Sequence, residues 1–220
     1  MTETPAALMH NLPLFPLPRV VLLPHTLLPL HIFEPRYRTL IATAIEDELT
    51  FGIPTIEDGG LPSAHSPPVH AVMGLARVVR HQPLADGRSN VVVLGVGRAR
   101  LVEEVDDPSV PYRSAHCARL DDIRSPHPAG TNSDQHLGGL RLAARQVVHG
   151  RAELTSEVER LFNGERDPNE VVDVLAHMCL RCPEDRLAYL NLPSFSERAA
   201  HLLATLTTIL YACRPPAAEG

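Results

Sequence analysis

Cys179-Leu180-Arg181-Cys182 is the arrangement in this 220-residue chain with the most obvious chemistry. Two thiols at this spacing can supply half of a zinc site or cycle as a redox pair. A zinc site of this kind needs a second pair, and Cys117 and Cys213 stand alone. A redox pair opens a helix, whose amino-terminal field lowers the thiol pKa. Here an apolar helical stripe runs into Cys179 and Pro183 follows Cys182, so the pair closes a helix. Buried thiols are the expected reading.

The 12 histidines are many for this length, but none forms His-x-x-x-His with a glutamate. His65, His70 and His81 fall in loop and strand, so a metal would need a composite of His116, Cys117 and distant histidines. Ser63, Ser66 and Ser125 lie near histidines without a Gly-x-Ser-x-Gly elbow. Gly95-Val96-Gly97 lacks the third glycine of a dinucleotide fingerprint and leads into more strand. All 20 basic residues are arginine, so a phosphate-binding loop, which needs lysine, is absent. No catalytic residue, metal or cofactor is expected.

Arg77, Arg80, Arg88, Arg98, Arg100 and Arg113 recur along predicted strands and could form a cationic face for RNA. Glu103, Glu104, Asp106 and Asp107 interrupt that face, and the net charge is −6. Aromatic residues are only 4% of the chain, so bases would find few stacking partners. Solvated faces and cross-strand ion pairs are expected instead, and nucleic acid is not an expected partner. No apolar run approaches the roughly 18–20 residues of a membrane span. Met1–His10 contains Glu3 and no arginine, unlike a signal peptide. The expected location is the cytoplasm.

The elements follow from proline spacing and hydrophobic period. The 21 prolines cluster first between Pro13 and Pro35, which predicts short extended pieces at sheet edges over 11–33. Pro35 suits the first turn of a helix, and Tyr37, Leu40, Ile41, Ala44 and Ile45 continue it at helical spacing. Strands are predicted over 49–56, 69–82, 88–102 and 111–121, with Asp86-Gly87 as a hairpin turn. Gly95 and Gly97 mark a bulge or bend before Arg98–Val105. A β domain over 11–121, a linker over 122–134 and a helical bundle over 135–213 result. Asp167 is the expected cap of one helix, with Pro168 at its first position, and Ser194 with Glu197 caps the last.

Leu12-Pro13-Leu14-Phe15-Pro16-Leu17 and Leu28-Pro29-Leu30-His31-Ile32-Phe33-Glu34-Pro35-Arg36-Tyr37-Arg38 closely resemble the opening of the amino-terminal, substrate-binding domain of the Lon protease family. Val72-Met73-Gly74-Leu75-Ala76-Arg77-Val78, the Asp86-Gly87 turn, Val93–Leu101 and Pro111–Ala115 follow in the same order. Leu190-Asn191-Leu192-Pro193 before a capped helix also fits. The resemblance implies an α+β fold: a PUA-like twisted β-barrel or half-barrel with one inserted helix, then a helical bundle. It implies a stand-alone LON-domain protein that binds unfolded or specific polypeptides without catalysis. A Lon enzyme needs lysine in its phosphate-binding loop and in its serine-lysine peptidase pair, and this chain has none. The alternative is a small-molecule- or RNA-binding regulator on the same fold.

Pro29, Phe33, Glu34, Pro35, Arg36 and Tyr37 are expected to be structural. Glu34 would serve the free N–H groups of the helix start, Arg36 and Arg38 would pair with acids nearby, and Phe33 and Tyr37 would anchor the helix on the sheet. Leu22, Leu23, Leu27 and Leu61, in proline-rich loops, are the candidate polypeptide contacts.

Overall fold

The computed structural model describes residues 7–58, 66–121 and 131–212. Strands β1 (Leu8–Leu14), β2 (Leu17–Pro18) and β3 (Leu27–Ile32) lead into helix α1 (Pro35–Glu46). Strands β4 (Phe51–Ile53), β5 (Thr55–Ile56), β6 (Val72–Pro83), β7 (Ser89–Val105) and β8 (Arg113–Leu120) follow. Helices α2 (Thr131–Val147), α3 (Ala152–Phe162), α4 (Pro168–Cys179), α5 (Pro183–Asn191) and α6 (Phe195–Ala212) complete the chain.

Five strands close a ring: β1 lies parallel to β4, and β4–β6, β6–β7, β7–β8 and β8–β1 are antiparallel. The 17-residue β7 makes this possible. Its second half, from Arg98, pairs with β8, while its first half, Ser89–Leu94, carries β3. β3 is the end strand of the sheet. The predicted bulge is present, since the β6–β7 register slips between Leu75 opposite Gly97 and Ala76 opposite Gly95. β2 and β5 form a separate parallel pair.

Core side chains fall on the two faces of this sheet. Leu12, Leu14, Met73, Leu75, Ala99, Ala115 and Cys117 form one cluster. On the other face α1 lays Tyr37, Leu40, Ile41 and Ala44 against Phe15, Ile32, Phe51, Ile53, Val91 and Val93. β6 is therefore buried continuously from Val72 to Ala76, as a strand covered on both faces must be.

The segment between β2 and β3 crosses this sheet with unusual closeness. A Cβ on Gly74 would overlap the Leu22 carbonyl oxygen, and one on Gly95 would overlap that of Leu23. His25 N–H donates to Gly95 O at 2.8 Å, and Gly95 N–H donates to Thr26 O at 2.9 Å. The Thr26 hydroxyl closes the turn on Leu23 O at 2.7 Å. Leu22 and Leu23 are consequently buried at 2% and 0% exposure. They are core residues rather than the surface contacts expected of them. A strand glycine is needed here because another backbone occupies the side-chain position.

The chain divides into two compact units, one running to Asp121 and including Cys182–Asn191, the other holding α2, α3, α4 and α6. Helix α5 is thus part of the β unit, where it packs on β6 and buries Tyr189 and Leu190. Of the expected linker, residues 122–130 lie outside the described residues, and 131–134 are already the first turn of α2. In the helical unit the Asp167 carboxylate caps α4 through Asn169 N–H at 2.8 Å. Ser194 Oγ caps α6, accepting from Glu197 N–H at 3.3 Å while donating to its carboxylate at 2.6 Å. Arg198 and Asp173 pair in the interior at 3.4 Å. Among the described residues no helix is long and apolar enough to cross a membrane.

Replacing Gly95 by alanine should lower the unfolding free energy by about 2 kcal/mol or more, because the added methyl meets backbone that cannot rotate away. Urea denaturation followed by circular dichroism checks this; an unchanged midpoint would contradict the close approach.

Candidate functional site

The opening motif folds around a cavity of about 270 Å³ on the β unit. Phe15, Pro16 and Leu17 form one wall, the end of β3 with Phe33 another, and Ile56 and Pro67 a third. The walls are apolar because β2 and β5 bring proline and aliphatic residues together beside β3. The volume falls just below the roughly 300–1,000 Å³ of small-molecule sites.

Each residue of the motif has a distinct place. Pro29 lies on the end strand, where a missing N–H disturbs the sheet least. Pro35 is the first residue of α1, as expected. Tyr37 is buried with its ring tilted against Phe15 at 4.2 Å, so it does anchor the helix. Burial holds its hydroxyl pKa above the ordinary value, partly opposed by the nearby charge of Arg36.

Two expectations for this motif need correction. Phe33 is 59% exposed and anchors nothing; it stands at the cavity beside the His31 ring, centroids 6.2 Å apart. Glu34 occupies the helix N-cap position, but its carboxylate makes no cap bond. It accepts from Arg36 Nε at 2.9 Å and pairs with Arg36 Nη2 at 2.8 Å, a stronger, charge-assisted partner. The Glu34 carbonyl oxygen takes the helix N–H groups of Tyr37 and Arg38 instead.

The two arginines at the cavity are both matched. Arg36 is tied to Glu34, and its guanidinium carbon lies 4.5 Å from the Tyr37 ring centroid. Arg113, brought in by closure of β8 on β7, grips Glu104 through Nε at 2.9 Å and Nη2 at 2.5 Å. Its Nη1 donates to Pro67 O at 2.9 Å, which holds that proline in the cavity wall. Arg113 was legible only as one of several strand arginines; its place in the cavity depends on barrel closure. Leu27, at 56% exposure, stays available on β3, and Leu61 lies outside the described residues.

The other chemical candidates resolve differently. Arg98 is 4% exposed and donates to Leu190 O at 2.9 Å, so it does not belong to a solvated cationic face. Arg88 pairs with Asp86, and Arg113 with Glu104. Cys179 ends α4, as expected, but Cys182 opens α5, its sulfur accepting from Asp185 N–H at 3.4 Å. The Asp185 and Glu184 carboxylates nevertheless push the Cys182 thiol pKa up, opposite to a redox thiol. Burial pushes Cys117 and Cys179 up to about 11. His116 faces His10, ring centroids 5.0 Å apart, while Cys117 points into the core cluster. Among the described residues no group of three or more His, Cys, Asp or Glu side chains could hold a metal ion.

Together these elements define the class as an α+β fold with a β-barrel carrying one inserted helix and an apolar pocket at the Pro29–Tyr37 motif, followed by a helical carboxy-terminal part. The chain matches the ATP-dependent protease La (LON) substrate-binding domain over residues 11–208, and it belongs to that family. Lon protease 2 of Myxococcus xanthus is 26% identical over 166 residues, 75% of this chain and 20% of that protein. Lon protease 1 of Thermus thermophilus is 25% identical over 203 residues, 89% of this chain and 24% of that protein. The chain therefore spans only a fifth to a quarter of these curated relatives. The N-terminal domain of the Mycobacterium avium complex Lon protease superposes with a TM-score of 0.67 at 15% identity, covering 90% of this chain and 98% of that one. The Lon N-terminal domain protein from Xanthomonas campestris gives 0.60 at 22% identity, covering 89% and 98%. At these identities the two structures support the fold.

The thiol environments make a direct prediction. At pH 8 a thiol with pKa near 11 is only about 0.1% thiolate. Iodoacetamide applied to the native protein at that pH should leave Cys117 unmodified over hours, as read by peptide mass spectrometry. Rapid labelling of Cys117 would show that the core opens there.

Proposed function

We propose that this chain is a non-catalytic recognition module of the cytoplasm that binds unfolded or specific polypeptide segments. One apolar side chain of the bound segment sits in the cavity beside Phe33. The observation that carries this reading is an apolar cavity whose two arginines are already paired, next to a phenylalanine that is 59% exposed. Paired charges leave nothing in the cavity walls to demand an ionic ligand. The volume suits one side chain better than a whole metabolite. An exposed aromatic beside a hollow is the composition of a binding hot spot.

The family membership agrees with this reading. Without a lysine the chain supplies neither a phosphate-binding loop nor a serine-lysine pair of its own. The burial of Arg98 and the pairing of Arg88 and Arg113 remove three of the six strand arginines from a cationic face for RNA, leaving Arg77, Arg80 and Arg100 exposed.

Fluorescence anisotropy of a labelled, permanently unfolded protein, titrated with this chain, tests the proposal. Saturable binding in the micromolar range should survive high salt, because apolar burial is not screened. Phe33→Asp should weaken it about tenfold or more. Absence of binding, or equal affinity for Phe33→Asp, would overturn the assignment.

A further inference from the structure

A second hollow lies on the β unit, between the first turns of α1 and the β6–β7 hairpin, with a volume of about 640 Å³. Arg38, His81 and Arg88 line it, and no aspartate or glutamate does. In a chain of net charge −6 such a hollow is a local reversal of sign.

The charges are not equivalent. Arg88 is clamped by Asp86, with Nε–H donating to Oδ2 at 2.6 Å and Asp86 Oδ1 accepting from Arg88 N–H at 3.1 Å. That pair is close to neutral. Contrary to the expectation that both Arg36 and Arg38 pair with acids nearby, Glu34 is taken by Arg36 and Arg38 makes no ion pair among the described residues. Its guanidinium rests on the hairpin turn at Gly87, where a side-chain Cβ would overlap it. Gly87 has φ +79°, so this glycine serves both the turn and the seat of Arg38. The guanidinium therefore lies against the hairpin turn while staying exposed to a ligand.

We infer that this hollow binds the carboxylate side chains of an acidic polypeptide segment, with Arg38 as the principal contact. A guanidinium fork matches a carboxylate in two parallel hydrogen bonds. The segment is the one proposed above for the apolar cavity, so this inference rests on that reading. The first turn of α1 divides the two sites: Arg36 and Tyr37 face the cavity, while Pro35 and Arg38 face the hollow. A bound chain whose apolar residue fills the first places its neighbours toward the second. The preferred ligand is an apolar residue followed or preceded by acidic ones.

Two labelled peptides with the same apolar centre, one flanked by glutamates and one by glutamines, test this with the full chain. The wild type should bind the glutamate peptide about fivefold more tightly at low salt, the scale of an exposed ion pair, and the preference should fade at high salt. Arg38→Gln should abolish the preference, so that the two peptides bind equally. Arg38→Lys, which keeps the charge but not the fork, should restore part of it. Equal binding of both peptides by the wild type, or a preference that survives in Arg38→Gln, overturns the acidic specificity and leaves polypeptide binding standing. Failure of the wild type to bind either peptide overturns both.

Discussion

The contact on which the β unit depends is between backbones. The Leu22–Leu23 segment lies directly on β6 and β7, and it can do so only where Gly74 and Gly95 leave no side chain. From that contact the rest follows. The paired hydrogen bonds between 25–26 and Gly95 set the register with which β3 joins β7. The register fixes where β3 ends at Ile32, and so where Phe33 and the start of α1 emerge. The cavity between β2, β3 and α1 is the space left by this arrangement. Core interiors pack at crystal-like density, so a shift of either glycine would propagate through every neighbour of Leu22.

The same constraint explains how charged residues come to line an apolar hollow. Arg36 and Arg113 arrive from opposite directions, one on α1 and one on β8, and each brings or meets a carboxylate. Partly buried ions that lacked partners would be expensive to desolvate. Glu34 leaves its capping duty for Arg36, and the helix start loses little because Pro35 has no N–H to satisfy. Glu104 meets Arg113 nine residues away across the antiparallel β7–β8 pair, where opposite charges on neighbouring positions reinforce the sheet. The hollow ends with polar rims and neutral walls.

Much of this was legible in the residue pattern. Pro35 as a first helical residue, the Asp86-Gly87 turn, the bulge near Gly95, and the Asp167 and Ser194 caps are local effects, decided within a few residues. What escaped the pattern was non-local. Leu22 and Leu23 sit among prolines with no periodicity, and only the bare glycines of two distant strands show that they are covered. Arg98 follows the same strand rhythm as Arg100, yet one is buried and the other exposed. The exposure of Phe33 is equally a matter of what lies opposite it. The leaving of Glu34 for Arg36 is a competition between two local partners, and charge assistance decides it.

Arg98 also explains why a segment late in the chain belongs to the β unit. Its guanidinium donates to the carbonyl of Leu190, in the last turn of α5, a helix of 9 residues with no basic residue in that turn. A helix of this length is marginal in water, and its final carbonyls need donors. A cation at that end satisfies one of them and sits favourably against the helix dipole. The donor comes from β7 and the acceptor from 92 residues further on, so this buried bond joins two stretches of the β unit that are far apart in sequence. Tyr189 and Leu190 beside it are buried and add apolar contact to the join. The unit that carries the cavity therefore includes a segment distant in sequence, and its boundary cannot be drawn at a single point along the chain.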